Sequence, residues 1–232
     1  MSLRVLFADN HLLAVHKPAG LPTVPDDSGD ESLFERARRW VEVEFQKPGR
    51  AFLGVVHRLD RPVSGVVLFA RTSKAAARLT AAFAERRVRK TYVGVAVGAL
   101  AAPEGEVEQW LWKDRDRNRV HVRPGPEGGA KRARTRWRVL ATGQGFPARA
   151  LVELRPETGR PHQLRVAMAS LGAPLAGDLR YGAAEALPDR SIALHAARLA
   201  LEHPVRREPL ELAAPRPTVS VWRFPEETGT PL

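Results

Sequence analysis

The sequence predicts an α+β protein built on a largely antiparallel or mixed sheet. Strand-like segments, short and apolar, dominate the chain, and three helical segments are inserted among them irregularly rather than in the strict alternation of a doubly wound parallel fold. With 232 residues and 44% hydrophobic side chains, there is enough apolar material for one large domain or two modest lobes sharing a core.

Taken in order, residues 4–17 read as two strands around a turn at Ala8-Asp9-Asn10, and Pro18 to Pro25 then breaks regular structure. Ser32-Leu33-Phe34-Glu35 has the form of a capping box, and Leu33, Ala37, Trp40 and Val41 behind it share one helical face. Residues 52–56 and 66–69 are apolar runs of the buried-strand type, and the Pro- and Gly-punctuated HRLDRPVSG between them is a loop. A second helix follows over SKAAARLTAAFAERR, with Ala76, Leu79 and Phe83 facing inward. Strands are expected over residues 91–100, 107–112, 120–123, 133–141 and 148–154, with a hairpin turn at GPEGG, residues 125–129. Pro161 near its first turn and Gly172 just past its end frame a third helix with an apolar stripe of Leu164, Ala167, Met168 and Leu171. LHAARLALEHP and PLELAAP close the chain as strands, and the last few residues are expected to fray.

Lys and Arg number 37 against 26 Asp and Glu, a formal net charge of +11. Such a surface favours a polyanion, which releases condensed counterions on binding, and so points to nucleic acid. The absence of cysteine excludes disulfides, thiolate metal sites and cysteine nucleophiles. Residues 1–15 lack the apolar stretch of a signal peptide, and no run approaches the roughly 18 apolar residues of a membrane helix, so a cytoplasmic protein without membrane association is expected. Seven histidines include no HExxH pair, and no metal is expected. GPEGGAK lacks the Gly-Lys-Ser/Thr ending of a phosphate loop, and Ser64 lacks the G-x-S-x-G frame of a hydrolase.

Two segments carry chemistry. HRLDRPVSG sets Asp60 between Arg58 and Arg61 on a short loop anchored by apolar strands, the arrangement a reactive group needs. ETGRPHQLR runs from a strand end into a helix start bearing Arg160, His162, Gln163 and Arg165, where free N–H groups favour phosphate. In KRARTRWRV, Arg132, Arg134, Arg136 and Arg138 alternate with Ala133, Thr135 and Trp137, so a strand would put all four arginines on one face. Like charges so close repel, which suggests a polyanion passing over them.

HRLDRPVSG resembles the HRLDxxTSG motif of the RluA-type pseudouridine synthases, GRPHQLR their GRTHQIR, and GAPLAGDLRYG their G-x-P-I-x-GD-x-x-YG. VLFADNHLLAVHKPAGLP, RKTYVGVAVG and LHAARLALEHP resemble further family blocks in the same order. The resemblance implies the pseudouridine synthase fold, a central sheet with a catalytic cleft across it, as one catalytic domain over 1–232 without an N-terminal S4 domain. It implies isomerisation of uridines in ribosomal or transfer RNA stem-loops without a cofactor, and a monomer is expected apart from the resemblance. Asp60 becomes the reactive carboxylate, Arg165 the cation that keeps it charged, Tyr92 the ring against the target base, and Arg58 the residue that fills the space of a flipped nucleotide. Arg61, Lys90, Arg132, Arg134, Arg160 and His162 become RNA contacts. The family's Thr is Val63 in the first motif and Pro161 in the second, which bears on loop packing or substrate preference. Rival readings are a non-catalytic RNA-binding protein and a metal-dependent hydrolase using Asp60. The first would leave Asp60 without work, and the second lacks a suitably spaced second carboxylate.

Overall fold

The computed structural model describes residues 3–143 and 148–224. In chain order its elements are β1 (Arg4–Ala8), β2 (Leu12–Lys17), α1 (Leu33–Glu44), β3 (Gly54–Val55), β4 (Ser64–Ala70), α2 (Ser73–Ala84), β5 (Arg89–Val97), β6 (Glu104–Asp114), β7 (Arg119–Arg123), β8 (Lys131–Gly143), β9 (Arg149–Pro156), α3 (Gln163–Ser170), β10 (Leu194–Glu202) and β11 (Pro209–Ala213). Two compact units result: residues up to Lys90 with Ala196–Pro215, and Thr91–His195 with the segment from Arg216 on.

In the first unit β1 pairs β2, β2 and β3 pair β4, and β10 pairs β11, all antiparallel. Every residue of β4 is buried, which is why its sequence is a continuous apolar run instead of an alternating one. Leu12, Ala14, Val66, Leu68 and Ala70 form a core with Ala75, Leu79 and Ala82 of α2. Phe69, on the alternate face of β4, meets Phe34 of α1 edge-on at 6.2 Å. The capping box forms as expected: Glu35 N–H donates to Ser32 Oγ (3.2 Å) and Ser32 N–H to Glu35 Oε2 (2.8 Å). Thr72 caps α2 by accepting from Ala75 N–H at 3.2 Å. Leu33, Ala37 and Val41 are the buried residues of α1, whereas Trp40 lies half-buried against Phe45.

The second unit is an antiparallel run in the order β5-β9-β8-β6-β7. Its helix α3 packs on β6 through β9, with Val166 among Leu111, Val120, Ala133 and Tyr181.

Three expectations need correction. The segment 125–129 is not a hairpin turn, because β7 and β8 do not pair with each other but flank β6 on opposite sides; its Gly128 and Gly129, at φ +64° and +79°, serve a crossing connection. The expected strand over 52–56 shrinks to Gly54–Val55, since the imidazole of His57 takes the next ladder position, its Nε2 accepting Leu68 N–H at 2.9 Å. Helix α3 starts two residues after Pro161, because His162 adopts a left-handed φ of +52°. It is also buried beyond one stripe, with Gln163 and Arg165 inside alongside the apolar residues, a placement that demands polar partners for both. The expected fraying of the last residues lies outside the described residues.

Candidate active site

Asp60 sits on the loop between β3 and β4, and its neighbours are fastened on both sides. Thr23 Oγ1 donates to Leu59 C=O (2.8 Å) and accepts Leu59 N–H (3.2 Å), so one hydroxyl fixes both polar groups of the residue before Asp60. On the other side Arg61 C=O accepts from Lys17 Nζ (3.0 Å) and Gly20 N–H (2.9 Å). Val63 N–H closes a turn onto Asp60 C=O at 3.0 Å. Leu59 and Val63 are buried, so they root the turn in the core, and the family hydroxyl replaced at Val63 has become a packing group. Gly20 reaches its donor position with φ +83°, a conformation a side chain would strain.

Lys17 is fully buried, and its ammonium finds three acceptors: Leu21 C=O at 2.7 Å, with Pro18 C=O and Arg61 C=O at 3.0 Å each. Burial pushes the amine down to about 7, against the pull of the Asp60 carboxylate; the Arg61 charge adds to the depression. Three N–H donors exist only on the protonated form, so the hydrogen bonds and the acidic neighbour both act to keep Lys17 a cation. Lys17 thus ties together three backbone carbonyls and places a positive charge in the field of Asp60. The sequence contained the signal, the Lys-Pro-x-Gly block, but no spacing rule connects it to a carboxylate 43 positions on.

The two arginines beside Asp60 differ. Arg58 is exposed. Arg61 is engaged in the fold, donating from Nε to Gly20 C=O (2.9 Å), bonding Asp30 and facing Asp26 at 3.7 Å. His57 stacks on Phe83 at 4.9 Å, and burial, with the Lys90 charge second, lowers its pKa to about 4. Lys90 is itself pushed down to about 8 by burial, with Arg86 adding to the shift.

In the second unit Arg165 and Asp178, both buried, form a two-pronged pair, Nε to Oδ2 at 2.7 Å and Nη2 to Oδ1 at 2.8 Å. The Arg165 guanidinium also stands 5.0 Å from the centre of the Tyr181 ring. Tyr181 Oη accepts Val120 N–H at 2.8 Å and hydrogen-bonds His162 Nδ1 at 2.7 Å, the imidazole tautomer deciding which of the two donates. Gln163 satisfies Thr158 Oγ1 (2.6 Å) and Arg160 N–H (3.0 Å) through Oε1 and reaches Arg134 C=O (2.9 Å) through Nε2, which makes its burial tolerable. Half-buried Arg160 donates from Nε to Arg132 C=O at 3.1 Å. Tyr92 lies on β5 opposite Leu154. The sequence showed the Gly-bounded loop that carries Asp178 without showing that Asp178 orients Arg165.

The arginines of β8 do share one face, but the repulsion expected there is offset. Arg132 is paired with Glu108 (2.8 and 2.6 Å), Arg134 and Arg136 with Glu106 and Glu157, and Arg138 with Glu153 at 3.6 Å. These carboxylates come from the adjoining strand β6 and from β9 and its end, a pairing invisible until the strand order is known. Among the described residues no group of His, Asp or Glu is arranged to hold a metal.

With that geometry in hand, the model of the RNA pseudouridylate synthase family matches residues 11–170. The chain belongs to that family. RNA pseudouridine synthases are isomerases of RNA uridines, and the relatives place this chain in the RluA-type group. The dual-specificity RNA pseudouridine synthase RluA of Haemophilus influenzae is 35% identical over 216 residues, 91% of this chain and 92% of that protein. The RNA pseudouridine synthase YhcT of Bacillus subtilis is 36% identical over 217 residues, 93% of this chain and 69% of that protein. For ribosomal large subunit pseudouridine synthase D of Xanthomonas campestris the identity is 36% over 228 residues, and the chain spans 66% of its length. The human RNA pseudouridylate synthase domain containing 1 superposes with a TM-score of 0.78 at 26% identity over 100% of this chain and 91% of that one. Domain containing 4, at 24% identity and a TM-score of 0.75 over 93% of this chain and 89% of its own, shares the fold. The pseudouridine synthase family match ends at residue 170, so Asp178 and Tyr181 lie beyond it.

Proposed function

We propose that this chain converts particular uridines of ribosomal or transfer RNA to pseudouridine, with the Asp60 carboxylate as the reacting group. The reaction breaks the N1–C1′ bond and makes a C5–C1′ bond; C5 gives up a proton and N1 gains one. Product and substrate are isomers, so the chemistry asks for a nucleophile or base and no redox partner. A carboxylate fits either role. The observation that carries the reading is the pinned Asp60 loop, in which backbone groups of the residues on either side of Asp60 are hydrogen-bonded to Thr23, Lys17 and Gly20. Such fastening is what a group aligned with a scissile bond requires.

A carboxylate in a water-excluding site gains protons unless a cation opposes the desolvation. Lys17, at the end of β2, supplies one such charge, and the resemblance assigns Arg165 as the other, with its guanidinium held by Asp178. The uridine must leave its stack to react, at a cost of a few kcal/mol; Tyr92 is assigned to pack on it and exposed Arg58 to fill the gap. Lys90, Arg160 and His162 remain candidates for RNA contact, as does Arg61, which would have to share its guanidinium with Gly20, Asp30 and Asp26. The proposed enzyme acts as a cytoplasmic monomer without metal or cofactor, and the name of the ribosomal large subunit relative supports ribosomal RNA as a substrate. Pseudouridine mapping of both RNA classes from cells with and without the gene is the test: one or more uridine positions should lose modification in the deletion and regain it with the wild-type gene. Identical maps would refute the function.

A further inference from the structure

We infer that the outer face of β6, β7 and β8 is a stacking platform for unpaired bases of the RNA substrate, centred on Trp110 and Trp112. The register builds it. Trp110 stands directly between Arg123 of β7 and Arg132 of β8, and Trp112 stands opposite His121. Directly opposed residues of antiparallel strands project to the same side, so these five side chains form one surface. The other side of the same strands carries Leu111, Val120 and Ala133, which pack beneath α3. As α3 is the one α-helix among the described residues of this unit, no helix among those residues covers the tryptophan side.

Two features identify the occupant. First, large indole rings on a solvent-facing sheet surface are partly exposed here, where burial would ordinarily gain the most. Second, the charge beside them is available. The arginines of β8, Arg132 beside Trp110 included, are occupied by Glu106, Glu108 and Glu157, but among the described residues no carboxylate lies within ion-pair distance of Arg123. Its guanidinium instead stands 4.9 Å from the centre of the Trp112 ring, and His121 lies tilted beside that ring at 5.9 Å. Asp114, on the same face, accepts Arg117 N–H at 3.0 Å and so closes the β6–β7 turn. Aromatic faces interleaved with cations are the surface on which single-stranded nucleic acid stacks while its phosphates are neutralised. The net charge of +11 points to the same polyanion. Duplex RNA, whose bases are already stacked, has little to gain from the indoles.

This inference rests on the reading that the chain acts on RNA, and the test separates the two. The probes are a uridine-rich single strand of about 12 nucleotides and a duplex of the same length, titrated against the full chain. Trp110→Ala and Trp112→Ala should each weaken single-strand binding about tenfold and leave duplex binding within about twofold, while Trp112→Phe retains most of the affinity. Arg123→Gln should weaken the single strand and flatten its salt dependence by about one counterion. Melting temperatures report folding; should an alanine variant be unfolded, Trp112→Phe and Arg123→Gln decide. Unchanged single-strand affinity in the folded alanine variants, or in Arg123→Gln, overturns the platform. Equal loss for strand and duplex in folded variants overturns it too, since a general phosphate track would then suffice. Pseudouridine formation by the wild type is scored separately: its absence sinks the enzymatic reading, and its presence with unaltered stacking variants sinks only the platform.

Discussion

Thr23, Lys17 and Gly20 fix Asp60 by holding the backbones of Leu59 and Arg61, and this indirect grip decides what the sequence could reveal. Asp60, the proposed reacting group, is legible because it lies inside a contiguous motif. Its supports are not, since the Thr23 and Lys17 hydrogen bonds span 36 and 44 positions and the choice of backbone acceptor leaves no trace in residue type. Asp178 is hidden for the same reason, although 13 positions from Arg165. His57 carries a testable consequence. Its Nε2 must accept Leu68 N–H, and its folded pKa of about 4 lies below the ordinary 6.5. The native state therefore resists a proton that the unfolded chain takes up, so this stabilisation is complete above about pH 6.5 and is lost as pH falls toward 4, by on the order of 2–3 kcal/mol. His16, lowered first by burial and then by Arg4 and Lys17, steepens the same slope. Urea midpoints measured across that window should fall with pH in the wild type and fall less in His57→Gln, whose amide oxygen still accepts the N–H; equal slopes would remove His57 from the account.

Among the elements, β4 shows how packing shapes the Asp60 loop. Gly65, the second residue of β4, sits at φ +124°, and a Cβ there would lie 2.3 Å from Ala196 C=O. Gly65→Ala should consequently cost more than about 2 kcal/mol, from the backbone conformation and the clash together, and lower activity even in the folded fraction by shifting the loop that β4 anchors. A wild-type melting temperature and turnover in this variant would show that the close approach is unimportant. Strand and helix identity were legible from periodicity along most of the chain: the capping box, both strands around Ala8-Asp9-Asn10 and the alternation of β8 all appear as read. Pairing was not. Nothing local distinguishes a β7–β8 hairpin from the observed arrangement around β6, and without that order the Glu106 and Glu108 partners of the β8 arginines could not be foreseen.

At the scale of the whole molecule, the family, the α+β architecture and the basic character were all available from the amino-acid order, because several motifs recur in one sequence and the charge needs only counting. Where that charge does its work needed the three-dimensional register. The β8 arginines are engaged by carboxylates, whereas Arg123 stands against Trp112, and it is on Arg123 that the proposed platform relies. The central claim remains chemical and local: one carboxylate isomerises uridine. It is tested most directly by incubating purified wild type and Asp60→Asn with unmodified ribosomal and transfer RNA transcripts and quantifying pseudouridine in each product. The account predicts site-specific pseudouridine from the wild type, insensitive to chelation by EDTA, and none above background from a folded Asp60→Asn that still binds the transcripts. Equal pseudouridine from both proteins would contradict it.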